Sequence, residues 1–281
     1  MAFGTPQPTP SYYNSPFNRF KLLPWSFYSW VRYNHKMNSV VYHGWYWLVT
    51  IFSVVTHFFL GLFCIFTPNF MKNHRRLARF FIKIIAKSMR LKVVTHGLEN
   101  IPPNQGCVFM ANHTSLVDIV VMIIGIPHHF NFIAKKELLW APFIGLDMVF
   151  GGDFLIDRAN ARNAKKCLQK VQKRLQNGWN MLFFPEGTRS KNGELLPFKR
   201  GAFKIAFDSQ STIIPCYIKG SHHIVQKSSL KARPGTVHIY FEKPISVQDY
   251  TNNRAGMIDA MNHTQQMIQT LKDHHLTTPS E

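Results

Sequence analysis

Residues 107–125 read Cys107-Val108-Phe109-Met110-Ala111, then Asn112-His113-Thr114-Ser115-Leu116-Val117-Asp118, then Ile119-Val120-Val121-Met122-Ile123-Ile124-Gly125. A short apolar run meets a polar one, and a second apolar run ends in glycine. That is the pattern of a strand, a turn and a helix. It recurs along the chain, with strands predicted at 107–111, 130–134, 154–156, 181–184, 213–218 and 237–241. Helices are predicted at 115–125, 161–176, 201–208 and 255–272. In the second of these, Ala164, Leu168, Val171 and Leu175 share a face, and Asn177-Gly178 marks the stop. Strands alternating with helices predict an α/β fold, a largely parallel sheet flanked by helices.

Upstream the character differs. Pro6, Pro8, Pro10 and Pro16 forbid a regular helix at the start of a segment otherwise rich in polar and aromatic residues. Residues 40–66 are apolar and uncharged, with Tyr42, Trp45, Tyr46 and Trp47 at one end, where interface-seeking rings belong. As a helix, residues 44–66 would extend about 34 Å, enough for a hydrocarbon core of about 30 Å. Thr56 and His57 interrupt the run, and a shallow hairpin broken near Gly61 is the alternative to a span. Residues 71–90 follow at helical spacing. Leu77, Phe80, Phe81, Ile84, Ile85 and Met89 form an apolar face, and Arg75, Arg76, Arg79, Lys83, Lys87 and Arg90 cover much of the rest. A soluble helix usually mixes signs, so this one fits an interface with anionic lipid. The cations after the apolar run also place the rest of the chain on the cytoplasmic side if the run spans. The expected organisation is a polar and aromatic segment at 1–39, a membrane-associated helical region at 40–90, transmembrane or interfacial, and an α/β domain at 91–281.

Charge follows the same division. The 281 residues carry 33 Lys+Arg against 14 Asp+Glu, a net charge of +19, and no acid precedes Glu99. With 46% hydrophobic residues this is a folded chain, not a disordered polycation, and it meets something negative. Cys64, Cys107, Cys167 and Cys216 lie far apart, which excludes a disulfide scaffold or zinc-finger module and suggests buried small residues. The 14 His show no ligand spacing that names a metal, and none is expected.

Two polar turns can carry chemistry. In the first, His113 and Asp118 are five apart and would diverge by about 140° in a continuous helix. With His113 still in the turn, the carboxylate can reach the imidazole and fix its tautomer, while Asn112, Thr114 or Ser115 would serve equally as caps. In the second, Phe184-Pro185-Glu186-Gly187-Thr188-Arg189-Ser190, Gly187 permits an unusual backbone and Arg189 offers a planar fork to a phosphate. Glu186 could position that Arg or a hydroxyl, and an ordinary turn is the simpler reading. Gly151-Gly152-Asp153 leads to Asp157-Arg158, whose arginine could bind phosphate or pair with Asp157. Ile213-Ile214-Pro215-Cys216-Tyr217-Ile218 reads as a core strand.

In this order NHTSLVD, GGDFLIDR, FPEGTRS and IIPCYI resemble the four blocks of the glycerolipid acyltransferases, above all the 1-acyl-sn-glycerol-3-phosphate acyltransferase (PlsC) family. The resemblance covers about residues 93–241, and residues 132–138 and 196–203 also look like the family. It implies transfer of a fatty acyl chain from acyl-CoA or acyl carrier protein to the sn-2 hydroxyl of lysophosphatidic acid, giving phosphatidic acid in phospholipid biosynthesis. His113 would be the general base and Asp118 its orienting partner. Arg189, with Lys135 and Arg158, would hold the glycerol phosphate, and Lys136 could substitute for Lys135. Glu186, Gly187 and Thr188 would complete the acceptor site. No cofactor is implied beyond the acyl donor as co-substrate. Another lysophospholipid or glycerol 3-phosphate is the alternative acceptor. The expected location is a membrane, with the catalytic domain at the cytoplasmic face, the inner membrane in a bacterium. A basic membrane adaptor is the non-enzymatic alternative. Nucleic acid is not expected as a partner, since the chain has a long apolar run and no recognisable reader motif.

Overall fold

The computed structural model describes residues 38–276 apart from 104, 158, 227, 228 and 230. Nearly all of the segment 1–39 lies outside the described residues, and so does Arg158. The chain divides into two compact units, Met1–Tyr42 and His43–Glu281, and the second holds the sheet and the site.

Helix α1, Asn38–Phe63, passes through Gly61 without a break, so the hairpin alternative does not occur. A 3-10 turn, Cys64–Phe66, ends it. The apolar stretch Ser39–Phe66 reaches a mean hydropathy of 2.3 and is long enough to cross a membrane. Trp45, Leu48, Ile51 and Phe52 stay exposed on it.

Helix α2, Phe70–Ser88, buries His74, Phe81, Ile85 and Ala86. Phe80, expected on the same apolar face, is 59% exposed. Arg76, Lys83, Lys87 and Arg90 remain outward, but two cations turn in. Arg75 pairs with Asp153 and donates to the Gly151 carbonyl at 3.1 Å. Arg79 donates to the carbonyls of Ile126 at 2.6 Å and Pro127 at 3.1 Å. These two bind the helix to the domain, because a buried carbonyl needs a donor.

Strands β1 (Leu91–His96), β2 (Cys107–Ala111), β3 (Phe130–Lys135), β4 (Phe154–Ile156), β5 (Asn180–Phe183), β6 (Thr212–Lys219) and β7 (Gly235–Phe241) form one sheet. Their order is β1-β7-β6-β2-β5-β3-β4. Every neighbouring pair is parallel except β6 with β7. The expected fold class holds: a mostly parallel sheet flanked by helices. Strand β2 lies near its middle and is buried along its whole length. Its parity splits the core. Cys107, Phe109 and Ala111 face one layer with Val121 and Met122 of helix α3, Val117–Gly125. Val108 and Met110 face the other, with Val171 of helix α5, Phe203 of helix α6 and Ile268 of helix α7. Those helices span Ala161–Gln176, Arg200–Ser209 and Arg254–Leu276.

Sequence patterning passes over β1 and the short helix α4, Ile144–Phe150. On α4 and just before it, Trp140 (82% exposed), Phe143, Ile144, Leu146 and Val149 present an apolar surface to solvent. The Phe143 ring lies 5.4 Å from that of Phe58 on α1. Cys107 and Cys216 are buried as expected, whereas Cys64 and Cys167 are only half-buried.

Candidate active site

Strands β2, β3, β4, β5 and β6 all point the same way, so their C-terminal ends share one edge of the sheet. Ligand sites of open α/β sheets form at that edge. Both polar turns open there, one after β2 and the other after the neighbouring β5.

The first turn is held before the helix starts. The Asn112 side chain extends the pairing of β2 with β6, accepting from the Ile218 N–H at 2.7 Å and donating to the Ile218 carbonyl at 3.1 Å. The Ser115 hydroxyl donates to the Val225 carbonyl at 2.6 Å, and Thr114 pairs with Ser221 at 2.9 Å. These contacts commit Asn112, Thr114 and Ser115 to the turn, and α3 starts at Val117 and not at Ser115.

His113 is thus left in the turn, and Asp118 sits in the first turn of α3. Asp118 Oδ2 lies 2.8 Å from His113 Nδ1 and accepts the N–H groups of Thr114 at 2.8 Å and Ser115 at 2.9 Å. A carboxylate oxygen with two fixed donors is an acceptor toward the third, so Nδ1 carries the proton and Nε2 keeps its lone pair. The side chain of Asp118 is fully buried, while that of His113 is 15% exposed. The ring of Phe184 stacks on the imidazole, centroids 4.0 Å apart at 14°.

The second turn grips the first through the backbone. Glu186 Oε1 accepts the His113 N–H at 2.8 Å, and Oε2 accepts the Leu196 N–H at 3.3 Å. Ser190 N–H donates to the His113 carbonyl at 2.8 Å. Glu186 is therefore a buried brace between the two turns. Burial pushes its pKa up to about 7, against the two N–H donors that favour the charged form. Gly187 has φ +71°, and a Cβ there would lie 3.0 Å from Lys199 Nζ. The motif reading singled out no role for Lys199. The signal was its place in the stretch 196–203.

The remaining candidates lie on or near the same edge. Lys135 ends β3 and is exposed, 3.0 Å from Glu137. Lys136 pairs with Asp157 at 3.1 Å. Arg189 is half-buried and Thr188 exposed in the turn after β5. Elsewhere His57, His74 and Asp147 converge, a cluster that sequence spacing did not reveal.

A fixed, partly open imidazole backed by a buried carboxylate is the arrangement that general-base catalysis uses. A family model described as Acyltransferase matches residues 92–219, the span that contains it. A 1-acyl-sn-glycerol-3-phosphate acyltransferase of Cocos nucifera is 35% identical over 174 residues, which cover 62% of this chain and 54% of that protein. The chain thus spans about half the length of that relative. A 1-acyl-sn-glycerol-3-phosphate acyltransferase alpha of Ovis aries is 30% identical over 218 residues, 77% of this chain and 72% of that one. The crystal structure of PlsC, the LPA acyltransferase of Thermotoga maritima, superposes with a TM-score of 0.75 and 23% identity, covering 88% of this chain and 99% of that chain. The last likeness is one of fold. The chain belongs to the 1-acyl-sn-glycerol-3-phosphate acyltransferase (PlsC) family.

Proposed function

We propose that this chain moves a fatty acyl group from a thioester to the sn-2 hydroxyl of 1-acyl-sn-glycerol 3-phosphate, yielding phosphatidic acid for phospholipid biosynthesis. The observation that carries this is the His113–Asp118 pair at 2.8 Å on the edge where the sheet's parallel strands end. His113 Nε2 takes the hydroxyl proton as the oxygen attacks the thioester carbonyl. The tetrahedral intermediate then collapses, and the departing thiolate receives a proton from the imidazolium. Asp118 holds the ring and balances its charge. The attacking oxygen belongs to the acceptor, so the chain needs no nucleophile of its own, and the buried thiols of Cys107 and Cys216 are spectators. Their pKa is raised by burial, that of Cys107 to about 11.

Arg189 binds the acceptor phosphate in this reading, with Lys135, Lys136 and Arg158 as further cations and Thr188 and Gly187 beside them. Glu186 braces His113 from behind. Acyl-CoA or acyl carrier protein brings the chain as co-substrate, and the transfer uses no other cofactor. Anionic lipid is the surface on which it happens, at the cytoplasmic face. The uncharged α1 and the exposed apolar residues around Trp140 support membrane attachment.

The test is an assay of the full chain in lipid, with lysophosphatidic acid, other lysolipids and glycerol 3-phosphate as acceptors and both thioesters as donors. His113→Ala should lower turnover by about 10²–10⁴-fold with fold and membrane binding unchanged. Full turnover in that variant would remove the general-base assignment. Preference for a different acceptor would replace the substrate while keeping the chemistry.

A further inference from the structure

His57, His74 and Asp147 come from three separate helices, α1, α2 and α4, and meet at one point. Asp147 Oδ1 lies 3.2 Å from His57 Nδ1 and 3.0 Å from His74 Nε2, and all three donor atoms lie within 4.8 Å of one another. Both imidazoles are buried, while Asp147 is about a quarter exposed. The outer nitrogens, His57 Nε2 and His74 Nδ1, have no hydrogen-bond partner among the described residues. Both rings turn their other nitrogen to the same carboxylate oxygen.

We propose that His57 Nδ1, His74 Nε2 and the Asp147 carboxylate form a binding site for a divalent transition-metal ion of the zinc type. Bonds of about 2.0–2.2 Å in a tetrahedron put ligand atoms about 3.3–3.6 Å apart. Two of the three edges, at 3.2 and 3.0 Å, lie a few tenths of an ångström short of that length. Two imidazoles with one carboxylate form a donor set suited to zinc and poorly suited to calcium or magnesium, which take oxygen. Gly61, one helical turn after His57, keeps the point open: a Cβ there would lie 3.0 Å from His74 Cδ2 and Nε2. The exposed side of Asp147 leaves the fourth position to water. The ion would join the apolar helix α1 and the basic helix α2 to α4 of the α/β domain. It takes no part in acyl transfer, whose imidazole and carboxylate are a different pair.

The test uses the untagged full chain in detergent micelles, stripped with a chelator and titrated with ZnCl2 and separately with CoCl2. Expected are uptake of one equivalent, the visible absorption of tetrahedral cobalt, and a rise in Tm on adding zinc. His57→Gln, His74→Gln and Asp147→Asn should each weaken zinc binding at least about tenfold, and His222→Gln, outside the cluster, should leave it unchanged. Variants that fold less well are judged by the wild-type protein alone. No stoichiometric uptake by the folded wild type, or no Tm response to zinc, overturns the proposal. So does uptake that survives all three substitutions. A loss of stability in the variants without any zinc response of the wild type would mark the cluster as a hydrogen-bonded triad and also overturn it.

Discussion

At the residue scale, the site depends on how many donors one oxygen receives. Asp118 Oδ2 takes three, and Asp118→Asn would turn an acceptor into a mixed group facing two fixed N–H donors. The amide oxygen can keep all three contacts, but it is neutral and no longer balances the imidazolium that forms on His113. Turnover of Asp118→Asn should fall by roughly 10²–10⁴-fold while the circular dichroism spectrum stays that of wild type. Glu186 predicts a pH effect. Its folded pKa of about 7 lies above the ordinary 4.5. Between those values the folded chain keeps a proton that the unfolded chain has lost, so its contribution to stability is present below about 4.5 and fades as pH rises through 7. Denaturant titrations from pH 4.5 to 7.5 should show stability falling in this window, and Glu186→Gln should flatten that slope. The His113–Asp118 reach was legible from the spacing, given a strand ending at Ala111. The brace was not, because Glu186 contacts backbone and backbone partners leave no mark in side-chain patterns.

At the scale of elements, apolar runs foretold most of the sheet because central parallel strands are buried on both faces and read as continuous hydrophobic segments. Strand β2 is the clear case. Strand β1 escaped because it is an edge strand with Lys92 and His96 exposed, and it pairs with β7, far along the chain. Helix α4 escaped because seven residues give too short a window for a helical period. Helix α2 has the opposite lesson. Its cations read as one lipid-facing set, yet Arg75 and Arg79 reach carbonyls and a carboxylate of the domain. Arg79→Ala would leave the Ile126 and Pro127 carbonyls without a donor and should cost about 1–3 kcal/mol in denaturant unfolding. Lys83→Ala, on the exposed side of the same helix, should cost less than about 0.5 kcal/mol.

At the scale of the molecule, charge and apolar surface are distributed by task. The acid-free first 98 residues hold 12 of the Lys/Arg, and the uncharged α1 lies within them. Exposed apolar side chains gather both on α1 and around α4. An apolar surface of that kind on a folded domain marks contact with a partner or a membrane. With vesicles containing anionic lipid, the Trp140 emission, taken as the difference between wild type and Trp140→Phe, should shift to the blue and be quenched by brominated acyl chains. An unshifted difference spectrum would leave that surface in water.

The pairing of β1 with β7 has a consequence for the order in which the chain matures. Leu91 opposes Gly235, and β1 has no other neighbour in the sheet among the described residues. About 140 residues must be synthesised between the two, which at roughly 5–20 residues per second takes about 7–28 s. Throughout that interval α1 and α2 are already made, while the strand that follows them has no hydrogen-bonded partner. The apolar helix therefore leaves the ribosome with time to engage a bilayer before the sheet can close. A nascent chain arrested before residue 235 should consequently already sediment with membranes, yet be cleaved by protease between α2 and β2.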